Sequence, residues 1–285
     1  MEEPLLHRTT TTTSPSSPTT SSIINRLLFL VLIALISIWA NYEASKGFEV
    51  IILNNSGDTP QGRRFDLFFV SDDRATRIVL NTSKFVERIL YPDHHHPKKP
   101  VRRITLQLTG DYSTDIVHVA PIGPYPHHEF NIGISPIVMD EADVDRVMAA
   151  AVQRAMARVW LWEGNGGAPP ELVGGMVECI AMMAGYGPLT GSGGGVPSGF
   201  GGTCGIDGVG DAVGVALFLK HCEGVRRGFL ARLNRAMEGE WHVRMMDVAL
   251  GSPSKRMCDS YLSSAIGIVN STDAASASRE LSQEV

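Results

Sequence analysis

The chain has 285 residues, 44% of them hydrophobic and 19% charged, with a formal net charge of -5. That is the make-up of an ordinary globular protein with enough apolar residues for a sizeable core. A mildly acidic chain without a long basic run has no general attraction for nucleic acid, so nucleic-acid binding is excluded.

Residues 1–22 are rich in Thr, Ser and Pro and cannot bury enough surface to offset their ordering entropy, which predicts a disordered cytoplasmic tail. Ile23, Ile24, Asn25 and Arg26 lead into the apolar run Leu27–Ala40, broken only by Ser37. That run makes about 21 Å of helix, short of a ~30 Å hydrocarbon core, and Ile23, Ile24 and a snorkelling Arg26 extend it to a thin-membrane span. Residues 23–40 are therefore expected to be a signal-anchor transmembrane helix. The competing reading is a cleaved signal peptide; against it stand the long polar leader and the absence of a small-x-small pair, Ile38 preceding Ala40 and Tyr42 preceding Ala44. Arg8 and Arg26 before the run, against Glu43 and Lys46 after it, place the N-terminus in the cytoplasm. The expectation is a single-pass membrane protein of the endomembrane system or plasma membrane, its C-terminal domain lumenal or extracellular. Asn54, Asn81 and Asn270 begin Asn-x-Ser/Thr sequons and are the glycosylation candidates.

Phe48–Leu53, Ile104–Leu108, Ile116–Val119 and Phe130–Ile134 read as strands, and Arg77–Leu90 as a helix. From Asp140 the pattern turns helical. Glu141–Trp162 has Val144, Met148, Ala151, Ala155 and Val159 at three- and four-residue spacing, a stripe that fixes the helix's rotation and puts Arg154 and Arg158 on one side. Pro170–Ala184 follows as a second helix, Gly191–Gly210 as a glycine-rich loop, and further helices near Asp211–Cys222, Val225–Met237, Val243–Leu250 and Pro253–Ala265. Strands first and helices afterwards give an α+β fold with a mostly antiparallel N-terminal sheet and a helical C-terminal part. One domain is expected over 46–272, with a disordered tail at 273–285. Cys179, Cys204, Cys222 and Cys258 form no CxxC; they could make two disulfides or serve as small buried hydrophobes.

The stretch RAMARVWLWEGNGGAP, continued by LVGGMVECIAMMAGYGP, resembles the signature of the plant basic secretory protein family, zinc peptidases of plants and bacteria: HEMTHVWQWNGNGxAP, then LIEGIADYVRxxAGYxP. The likeness extends upstream through Asn54–Pro60, Arg64 and Phe65, and downstream through Asp211, Phe218, Leu219 and Cys222 to Leu233 and Asn234. It implies a zincin-like fold. It also implies that Arg154 and Arg158 stand where two zinc-binding His would be, Ala155 where the general base would be, Gly174 where a carboxylate ligand would be, and Glu178 where a supporting carboxylate would be. Arg cannot ligate zinc, so the former site is degenerate; no catalytic residue, metal or cofactor is expected. Glu178 is predicted to meet Arg154 across facing helices. Alternatively, Arg154 and Arg158 hold an external carboxylate or phosphate. His94–His96 reads as a solvated loop, and His127, His128 and Glu129 as a strand entry. The function implied is a membrane-anchored pseudopeptidase that binds an unknown protein or anionic ligand; the rival is an active peptidase of the same family, metal-dependent or with another site.

Overall fold

The computed structural model describes residues 20–45, 47–93, 96–110, 115–124, 127–187 and 212–263, with side chains of the first segment at 24–38 and 40. The chain divides into two units, Met1–Gly47 and Phe48–Val285. In the first, the apolar run lies on helix α1 (Thr20–Ser45). Leu27, Phe29 and Leu32 are exposed, Phe29 at 62%, so this surface is not part of a core. Among the described residues, however, no helix is long and apolar enough to cross a membrane, and the expected span over 23–40 is not supported.

In the second unit the four expected strands are all present: β1 (Glu49–Asn54), β2 (Arg103–Leu108), β3 (Val117–Ile122) and β4 (Glu129–Ile134). Their order is β1-β2-β4-β3. A mostly antiparallel sheet was the expectation, and here the structure differs: β1–β2 and β2–β4 are parallel, and β3–β4 is the antiparallel pair. The connection decides this. After β1 the chain runs through α2 (Pro60–Phe65), a π-helical turn (Asp66–Val70) and α3 (Arg74–Leu90), a crossover long enough to return it to the same end of the sheet. β3 then runs back one position away from β2, and β4 fills the gap. Alternation along β2 puts Ile104, Leu106 and Leu108 in the core with no exposure.

A 3₁₀ turn (Pro136–Asp140) leads to α4 (Val144–Trp160). That helix starts three residues later than the sequence pattern suggests, because Asp143 caps it: its side chain accepts from the Arg146 amide at 3.1 Å. Helix α4 packs on the sheet, on α3 and on α5 (Pro170–Met183), and is buried nearly all round, Gln153 and Arg154 included. Beyond α5 come α6 (Ala212–Val225), α7 (Phe229–Ala236) and α8 (Arg244–Leu250), then α9 (254–263). Helices α5 and α6 approach closely at Gly175, where a Cβ would lie 2.4 Å from Val215 Cγ1.

Cys179 and Cys222 are free, buried thiols, pushed up to about 12 by burial, and Cys258 is disulfide-bonded. Two disulfides are thereby excluded. The expected glycine-rich loop, the 273–285 tail, Cys204 and Asn270 lie outside the described residues, as do His94 and His95. Asn81 is exposed on α3. Asn54, by contrast, donates its amide nitrogen to Gly62 O at 2.9 Å, so the atom a glycan would occupy is engaged in the fold.

Candidate functional site

The site is built where the second half of α4 faces α5 on one side and the β3–β4 edge of the sheet on the other. Arg154 turns toward α5. Its Nε donates to Glu178 Oε1 at 2.7 Å and its Nη2 to Glu178 Oε2 at 2.8 Å, a two-pronged pair. The same Nη2 donates to Gly187 O at 2.6 Å, and Nη1 to Ala150 O at 3.2 Å. The side chains are 4% and 17% exposed. Glu178 thus meets Arg154 across the facing helices as expected, and it holds one of the two arginines proposed for an external anion.

One turn later Arg158 goes elsewhere. It is half-exposed and pairs through Nε with Glu163 Oε1 at 3.1 Å. Arg158 and Glu163 line a cleft of about 470 Å³, counted to its open mouth, together with Lys99, Val119, Pro121, His127, Phe130 and Trp162. Lys99 is the residue that the sequence did not mark. Only 6% exposed, it donates from Nζ to Leu161 O at 2.7 Å, just past the end of α4, and lies over the rings of Phe130 and Trp162 at 5.0 and 5.6 Å. Its neighbour Lys98 pairs with Glu87 at 2.5 Å and is half-exposed. Nothing in Pro97-Lys98-Lys99-Pro100 tells the two apart; only the tertiary fold does.

Burial holds the Lys99 ammonium down to about 8, with Glu163 opposing and Arg158 reinforcing the shift. The group is thus easier to deprotonate folded than unfolded. Its stability contribution is fully present above the unfolded value and is lost as pH falls through about 8. Between pH 7 and 9 wild type should therefore gain about 1 kcal/mol relative to Lys99→Met. Taking the difference cancels the buried thiols, which act in the opposite direction above pH 9. Urea titrations of both proteins at the two pH values measure it, and parallel curves would show that Lys99 does not titrate there.

Of the other positions that the sequence resemblance singles out, Ala155 is 1% exposed. At Gly174 a Cβ would sit 3.2 Å from the Ala212 Cβ. The turn Gly164-Asn165-Gly166 needs three consecutive positive φ angles, 60°, 57° and 81°, and a Cβ on Gly164 would meet Trp241 Cβ at 2.5 Å. Trp160 is core, its Nε1 donating to Ser83 Oγ at 2.9 Å. Trp162 donates its backbone N–H to Asn234 Oδ1 at 2.9 Å while its ring walls the cleft. His127 and His128 each place Nδ1 against a backbone oxygen, Gly123 O at 3.1 Å and Pro100 O at 2.7 Å. Among the described residues no group of three His, Cys, Asp or Glu could hold a metal ion.

No curated protein and no solved structure matches the chain. The profile of the family described as peptidase of plants and bacteria matches residues 45–261. It takes in the whole sheet, the Arg154–Glu178 pair and the cleft. With most of its length matched, the chain belongs to this peptidase family of plants and bacteria.

Proposed function

We propose that this family member is non-catalytic: a zincin-fold pseudopeptidase with a binding or regulatory role, attached to a membrane through α1 with its second unit on the lumenal or extracellular side. The observation that carries the reading is the Arg154–Glu178 pair. Zinc needs lone-pair donors, and a protonated guanidinium has none to give. Arg154 and Arg158 stand at the two His positions, the buried methyl of Ala155 at that of the general base, and Gly174 at that of the carboxylate ligand. The remaining acid, Glu178, has both oxygens on Arg154. These residues do not fit a zinc ion, and no peptidase step is derived through one.

Support for the attachment is the exposed apolar surface of α1, which water does not favour and a lipid layer does. Two measurements test the proposal. The full chain, exchanged against zinc and desalted, is expected to keep no stoichiometric metal and to hydrolyse casein no faster than buffer; chelator-sensitive hydrolysis would overturn it. Membranes bearing the chain should retain it through an alkaline carbonate wash and lose it when residues 1–45 are deleted. Release of the intact chain by carbonate would defeat the attachment.

A further inference from the structure

We infer that the cleft between the C-terminal end of α4 and the β3–β4 edge binds a monocarboxylate carried on an apolar body, with Arg158 and Lys99 holding the carboxylate. The inference rests on reading this family member as a binding protein, and it moves the anion site from Arg154, whose donors are engaged, to Arg158.

Two cations face this cleft with donors to spare. Lys99 Nζ has three N–H donors, of which the structure assigns one to Leu161 O; aromatic rings cover much of the rest. Arg158 pairs through Nε alone, and among the described residues its terminal nitrogens have no acceptor. The opposing negative groups are the Glu163 carboxylate and the carbonyl end of α4. Glu163 is half-exposed, free to swing into water and surrender Arg158 to a ligand. In the structure its carboxylate occupies the place that the ligand's would take.

The walls set the rest of the ligand. Val119, Pro121, Phe130 and Trp162 present apolar surface beside the charged end, a combination suited to an aliphatic or aromatic acid. The cleft is small and open at its mouth, so it takes one side chain with its carboxylate rather than a larger ligand. A free organic acid and the C-terminal residue of a polypeptide share this chemistry.

Calorimetry on the full chain in detergent tests it with N-acetyl-phenylalanine, a short peptide ending in Phe, and the C-terminal amide of each. The acids should bind and the amides should bind at least about tenfold more weakly, since each loses a charge-assisted contact. A peptide acid that binds much tighter than the small acid identifies a chain terminus as the source; equal affinities identify the free acid. Arg158→Gln should weaken acid binding about tenfold. Glu163→Gln should tighten it, because the internal competitor is gone, a sign that a purely structural role for Glu163 does not produce. Both positions are half-exposed, so neither change threatens folding. Acid and amide binding equally, no binding at millimolar acid, or weaker binding in Glu163→Gln would each overturn the inference. Zinc content of the same sample reads the pseudopeptidase proposal independently. A zinc-loaded chain that ignores the acids refutes both, whereas a zinc-free chain that ignores them refutes the cleft alone.

Discussion

Glu178→Ala is expected to destabilise the second unit by about 3 kcal/mol, because it strands the buried Arg154 guanidinium. With Arg154 4% exposed and Glu178 17%, breaking the pair belongs to the buried regime of roughly 3–5 kcal/mol rather than to the 0–1 kcal/mol of surface pairs. Two carbonyls, Gly187 O and Ala150 O, still accept from Arg154, which keeps the loss at the lower end of that range. Glu178→Gln, retaining one acceptor oxygen, should cost less than Glu178→Ala. The double variant Arg154→Met with Glu178→Leu removes both charges and fills the space with apolar volume. It should recover the wild-type stability to within about 1 kcal/mol or exceed it. Urea midpoints at unchanged slope give all three values. A loss below about 1 kcal/mol in Glu178→Ala would mean that the pair behaves as though it were exposed.

That pair could be anticipated because two positions on successive helices carry complementary charges, Arg154 and Glu178, where the resemblance implies a metal ligand and its support. Their distance apart was set by the helices, and both helices were readable. Lys99 could not be anticipated in the same way. Its burial comes from Leu161, Phe130 and Trp162, which are far away in sequence and meet only when β4 and the end of α4 come together. Strand direction failed for a related reason. Alternating residues show that a segment is a strand, but whether its neighbour runs parallel depends on the route between them, and the α2–α3 crossover was only partly visible. In α4 the apolar stripe was real but narrower than the buried surface. Alanines at 150, 151, 155 and 157 let neighbours approach from several sides, so Gln153 and Arg154 are buried too.

Gly62→Ala is expected to destabilise the second unit by at least the upper end of the ~1–3 kcal/mol typical of overpacking. A Cβ there would lie 1.8 Å from Ser56 O and 2.3 Å from Ser56 C, both backbone atoms that no rotamer change can move aside. The Ser56 carbonyl is held as well: Thr59 donates to it from its amide at 2.9 Å and from Oγ1 at 2.7 Å. Thr59 in turn caps α2, accepting from the Gly62 amide at 3.0 Å. Asn54 ties the strand end to Gly62 O, and the buried Ser56 hydroxyl donates to Thr109 O, just beyond β2. Opening the turn would therefore loosen the ends of β1 and β2 together. These contacts give residues 54–60, part of the family likeness, a role in the scaffold. Gly57→Ala in the same turn is the control. Its nearest neighbours would be Asn54 atoms at 4.0 Å, so stability should change by less than about 1 kcal/mol. Chemical denaturation of the two variants side by side separates a tight backbone contact from a general intolerance of side chains in the turn: equal losses would show that the Ser56 carbonyl yields at little cost.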